Sequence, residues 1–149
     1  MYYSVTFDSV NTWEDWHLIP SSPPMVEPPK PYTNFVEIPG RSLGPIDLSE
    51  ALSNGPTYES STGSWKFIFG RPNITRTDRM TVYEALRRKL HNKRIEKIVL
   101  EEDPTHYYKG RFAVEKPETG RTSFGFTIKY TIDPVRYNVS NDAVDANYP

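Results

Sequence analysis

Glu14, Asp15 and His17 crowd the segment NTWEDWHLIPSSPPMVEPPKP (residues 11–31), and carboxylates beside an imidazole are the raw material of acid–base chemistry or of a metal site. Their spacing argues against both. Asp15 and His17, two apart, diverge on a helix and share a side only on a strand. A metal site usually gathers three or more ligands from separated segments, and His91 and His106 stand at no diagnostic spacing. The plainer reading is that Trp13 and Trp16 anchor a loop which the acids cap. A second group, Glu101-Glu102-Asp103, offers paired carboxylates for hydrolysis or for a cation. It sits at a strand end before Pro104, where a solvated turn carries charge in any case. A third group, Arg87, Arg88, Lys89, Lys93 and Arg94, has the charge to grip phosphate. It lacks interleaved aromatics, and Glu96, Glu101 and Glu102 follow at once. No nucleophile elbow, phosphate loop or HExxH pattern occurs. We therefore expect no catalytic residues, no cofactor and no metal, and a chain that is not an enzyme.

The elements that must position these groups are bounded by composition. The 149 residues suffice for one domain with a core. The net charge of −1 argues against a dedicated nucleic-acid binder. Absence of cysteine excludes disulfides and thiolate-held metals. No signal-peptide pattern and no membrane-length apolar run occur, so the Asn73-Ile74-Thr75 and Asn138-Val139-Ser140 sequons read as chance matches. Aromatics make up 13% and there are 14 prolines, a combination that fits strands joined by extended excursions.

Along the chain, Tyr3, Val5 and Phe7 alternate as a first strand, and Asn11 can cap a helical turn over 11–16. Residues 20–31 carry so many prolines that neither a helix nor a central strand can form; the segment must be a stiff, extended arm. NFVEI (34–38) reads as a strand, DLSEAL (47–52) as a helical turn stopped by Asn54-Gly55-Pro56, and SWKFIFG (64–70) as a core strand. Residues 71–76 read as a loop. TDRMTVYEALRRKL (77–90) is the one convincing helix, with Tyr83, Leu86 and Leu90 on its apolar stripe, Val82 and Met80 widening it, Thr77 or Asp78 at its start and Asn92 past its end. Strands follow at 95–100, 107–114 and 124–132; in the last, Phe124, Phe126, Ile128, Tyr130 and Ile132 alternate strictly with polar or small residues. Thr62-Gly63-Ser64 and Thr119-Gly120-Arg121 read as ordinary turns. Beyond Asp133-Pro134 the chain is polar and without period, expected to fray or to dock on a partner. The expected fold is mainly β, an antiparallel β-sandwich with one flanking α-helix, in a domain over 1–134 followed by a polar tail over 135–149.

Several long stretches then fall into a familiar order: NTWEDWHLIPSSPPMVEPPKPYTNFVEIPG, DLSEALSNGPTYESSTGSWKFIF, a helix, and VLEEDPTHYYKGRFAV. From about Asn11 to Pro134 the chain resembles the phage distal tail proteins of siphophages and prophages from Gram-positive hosts. The resemblance implies a β-sandwich related to the tail-tube fold and a six-fold ring at the distal end of the tail tube. Such a ring joins tail-tube protein above to tail-associated hub protein below, near the tape-measure protein, and DNA passes through its lumen unbound. It also implies a virion location, no membrane, and a short form without the galectin-like second domain that many members carry. Trp13, Trp16, Pro23, Pro24, Pro28, Pro29 and Tyr32 are the expected contacts with a neighbouring subunit, since tryptophan and tyrosine make strong anchors and a stiff arm loses little freedom on docking. The rival expectation is that this arm covers its own sheet edge. Glu101, Glu102 and Asp103 are expected to give the lumen negative charge. A tail-tube or tail-completion protein, a carbohydrate-binding module of the tail tip, and a hydrolase using paired acids are the alternatives.

Overall fold

The computed structural model describes residues 2–51, 55–71, 73–119 and 124–149. Its spine is a 15-residue strand, Phe124–Asn138. The strict alternation read from the sequence puts Phe126, Ile128, Tyr130 and Ile132 in the core, as period 2 requires. This strand, β10, lies between β6 (Ser61–Phe69) and β8 (Asp103–Val114), with Tyr130 level with Gly63 on one side and Phe112 on the other. Thr62-Gly63-Ser64, expected as a turn, instead lies within β6. Gly63 is required by close approach: a Cβ there would sit 2.4 Å from the Tyr130 hydroxyl.

The main sheet runs β2 (Val10–Asn11), β1 (Val5–Phe7), β7 (Lys93–Leu100), β8, β10, β6, β3 (Leu18–Pro20), with the short β9 (Glu118–Thr119) beside β10. All its pairings are antiparallel. The sheet is curled, and the mainly β fold with one flanking helix is the expected one. The two layers of the expected sandwich are two halves of this single continuous sheet.

Closure is visible at residue 12. Strands β2 and β3 lie at opposite ends of the sheet order, yet only residues 12–17 join them. Those residues form the expected helical turn: the Asn11 side chain accepts from the Trp13 and Glu14 amides, and Asp15 reaches back to the Asn11 amide. Buried Thr12 then stitches the two rims together. Its amide donates to Val5 O and its hydroxyl accepts from Val5 N, both at 3.0 Å, while its carbonyl accepts from Leu18 N at 2.9 Å. Trp16, 8% exposed, belongs to the core; Trp13 is half-buried and stacks on Tyr2.

Helix α1 (Arg76–Leu90) packs on β7 and β8 through buried Leu86 and Leu90, and Tyr83 stacks on Phe126. Its start lies earlier than expected, because the Thr75 hydroxyl accepts from the Asp78 amide and supplies the cap. Asn92 takes positive φ just past the end, as expected. Met80 leaves the stripe and is exposed.

Strand β10 does not stop at Asp133-Pro134. A register shift between Ile132 and Arg136 absorbs the proline, and pairing with β8 resumes to Asn138. The chain then folds back on itself: Asn138 N donates to Ala143 O, Asp145 N to Arg136 O, and Tyr148 packs against the core. The expected helical turn at 47–52 appears as β5 (Ile46–Asp47) followed by a turn in which Ala51 N donates to Leu48 O. Leu52, Asn54, Pro72, Gly120 and Arg121, which the sequence reading assigned to turns and loops, lie outside the described residues.

Candidate functional site

The proline-rich segment and the hairpin that follows it take different places on the molecule. The proline-rich segment lies on its own barrel. Ser21 N donates to Lys66 O, the Trp65 indole N–H donates to Met25 O at 2.9 Å, and Glu27 N donates to the Tyr130 hydroxyl at 3.0 Å. Pro20, Pro24 and Pro29 are buried, and Val26 packs on the core. A segment poor in N–H donors suits a place beside a sheet rim, because it cannot extend the ladder. Among the expected interface residues, Trp16, Pro24 and Pro29 therefore face inward, Trp13 is half-covered, and Pro23, Pro28 and Tyr32 are exposed.

The projecting element is the next one. At its base Tyr32 N donates to Thr57 O, Glu59 N donates to Lys30 O, and Pro31 bridges to Tyr58. Between them runs a hairpin of β4 (Phe35–Val36) and β5, with Phe35 opposite Asp47 and Val36 opposite Ile46. Gly40 and Gly44 take positive φ at its tip. A two-stranded hairpin has no core of its own. Its large apolar residues are accordingly uncovered: Phe35 is 59% and Leu43 83% exposed, and Val36, Ile38, Leu48 and Tyr58 are exposed as well. Such a cluster is the mark of an interaction surface. Sequence reasoning read 34–38 as a strand, and β4 lies within it, but it did not foresee that the strand would stand in an uncovered hairpin. The available signal was a short apolar run broken by Pro39-Gly40 and Gly44-Pro45, a hairpin pattern with no second run long enough to bury it.

The acidic groups lead elsewhere than to chemistry. Glu101 accepts from the Ser4 amide and hydroxyl, Glu102 is exposed, and Asp103 accepts from Thr105 and His106. Asp103 belongs to a latch that holds the C-terminal segment. Arg136 donates to Asp145, which is buried, and lies 3.7 Å from Asp103; His106 sits between the two carboxylates, at 3.0 Å from Asp103 and 3.5 Å from Asp145. Burial pushes the Asp103 carboxyl up, but hydrogen bonds from Thr105 and His106 and the Arg136 charge outweigh it and hold it below its ordinary value. The Arg136 hydrogen bonds and the Asn147 amide do the same for Asp145.

Glu14, Asp15 and His17 are not brought together: Asp15 caps Asn11, and the His17 ring meets the edge of Trp13. Three of the five basic residues stand in ion pairs, Arg87 with Glu84, Lys89 with Asp8, and Arg94 with Asp133.

A curled antiparallel sheet, one flanking helix and a projecting hairpin make up a fold that has a counterpart among solved phage proteins. No family model and no curated protein matches the sequence. Among solved structures, the chain is similar to the SPP1 Dit (gp 19.1) protein, whose crystal structure is described as a paradigm of the hub adsorption apparatus in phages that infect Gram-positive hosts. The TM-score is 0.65 at 17% identity, over 93% of this chain and 53% of that one. This chain thus spans about half the length of that protein, and the likeness is one of fold.

Proposed function

We propose that this chain is a structural phage tail protein, copies of which close into a hexameric ring at the distal end of the tail tube. The ring joins the tail-tube protein to the tail-tip hub, with the tape-measure protein and then DNA passing through its lumen in the virion. The observation that supports the reading is the uncovered hairpin of β4 and β5, set on a body whose fold matches SPP1 Dit over 93% of the chain. A shape-and-contact protein needs a sticky projection on a rigid body, and a contact between two different patches closes into a ring when the rotation allows it. In such a ring Glu101, Glu102 and Asp103 would set the charge of the lumen; Glu102 is the member not already engaged within the body.

Light scattering of the purified chain, alone and with tail-tube and hub proteins added, tests the reading. A mass six times that of the chain, and single annuli in electron micrographs, are expected. Stacked tubes would point to a tail-tube protein instead. A chain that stays monomeric at every concentration and with both proteins present would overturn the ring.

A further inference from the structure

If copies do close into a ring, each arm needs a socket on the next copy, and two solvent faces of the body compete for that role. The first is the open face of the sheet. Its cations are already neutralised across strands: Lys66 by Glu118 at 2.7 Å, Lys129 by Glu115 at 2.9 Å, Arg94 by Asp133 at 2.6 Å and Lys109 by Glu96 at 3.6 Å. Between them stand Thr62, Ser64, Thr127 and Thr131, small polar residues, so that exposed Ile68 near the end of β6 is what this face offers an apolar arm.

The second face is the outward side of α1. There Thr77, Met80, Thr81, Glu84, Ala85 and Arg88 line a shallow groove of about 430 Å³. Met80 lies exposed in it, off the stripe that seats the helix on β7 and β8. The helix carries more cations than acids, Arg76, Arg79, Arg87, Arg88 and Lys89 against Asp78 and Glu84; Arg87 is paired with Glu84 and Lys89 with Asp8, while Arg88 lines the groove itself. The arm has the opposite balance: residues 32–51 carry Glu37, Asp47 and Glu50 against Arg41. Twelve residues span on the order of 40 Å when fully extended, and even with the turns at 39–40 and 42–43 shortening the run from Tyr32 to Leu43 the comparison is with a radius of gyration of about 15 Å for a domain of this size. An arm can therefore pass the rim of its own barrel and lie across a neighbour.

We propose that the arm of one copy seats in the α1 groove of the next, with Phe35, Ile38 and Leu43 covering Met80 and Ala85 and the arm carboxylates meeting the helix cations. This rests on the ring reading and adds the socket to it. The contact joins unlike patches, so each copy both gives an arm and receives one. Its charge part weakens with salt, whereas its apolar part does not.

The cysteine-free chain allows a direct test. Leu43→Cys and Thr81→Cys chains, mixed and oxidised, are expected to give a disulfide-linked pair on a non-reducing gel. Leu43→Cys mixed with Thr131→Cys, on the sheet face, is expected to give none. Met80→Glu is expected to raise the dissociation constant of the oligomer roughly tenfold or more, with an unchanged melting profile of the monomer. Normal oligomers in Met80→Glu, with cross-linking to position 131 instead of 81, would place the arm on the sheet and overturn the socket while leaving the ring intact. A monomeric wild-type chain whose mixed cysteine variants never cross-link would overturn both.

Discussion

The barrel and the arm use the same kind of residue to opposite ends. Phe126 and Ile128 on β10 are fully buried, whereas Phe35 and Ile38 on the hairpin are exposed. The difference is one of partners, not of composition. Strand β10 has neighbours on both sides and Tyr83 of α1 stacked on its Phe126, while among the described residues β4 pairs with β5 alone. Hydrophobic side chains stabilise a fold only where a second layer removes them from water. Among the described residues the arm has no such layer.

The contrast breaks first at its centre. Phe126→Ala should cost about 3–5 kcal/mol in urea unfolding, because it leaves a cavity against Tyr83 and Phe69. If Phe126→Ala and Phe35→Ala proved equally costly to the monomer, the division into body and arm would be wrong. Thr12→Val should cost about 1–3 kcal/mol in the same measurement, since it strips the buried Val5 amide of its acceptor. Thr75→Ala, which removes the α1 cap, should cost about 1 kcal/mol and reduce the helical signal in circular dichroism.

The C-terminal latch gives a sharper probe by pH. The Asp103 and Asp145 pKa values lie lower in the folded than in the unfolded chain, so the latch contributes fully above the unfolded carboxylate value, about 3.9, and is lost as pH falls through the folded values. Wild type should lose stability steeply below that pH. Arg136→Met, which leaves Asp103 to Thr105 and His106 and leaves Asp145 to His106 and the Asn147 amide, should lose less there and converge with wild type in strong acid. The smallest effect belongs to the arm: Phe35→Ala should change monomer stability by no more than about 0.5 kcal/mol.

Much of the body was legible. Strict alternation gave β10 and β6, and apolar spacing gave α1, because burial imposes those periods on the chain. Asn11 and Asn92 were readable as cap and terminator for the same local reason. What failed was everything decided at long range. Asp133-Pro134 looked like an end because a proline ordinarily is one; that a bulge lets β10 continue depends on β8 being there to pair with it. The latch joins Asp103 and His106 to Arg136 and Asp145, a proximity no local pattern signals. The prolines correctly announced a stiff excursion but not its direction. They lie along Trp65 and Tyr130, residues far away in sequence, and leave the hairpin after them to project.

The stitch at Thr12 has a consequence for how the molecule comes into being. Both rims of the barrel, β1 with β2 and β3, belong to the first twenty residues, and they pair with β7 and with β6. On the ribosome these residues emerge first but find their partners late, and the seam can seal only after β10 has been made to set β8 and β6 at the right separation. Contacts of such high order make for slow folding, in the range of milliseconds to seconds. The opening residues of the chain should thus be the last to acquire protection from hydrogen exchange during refolding.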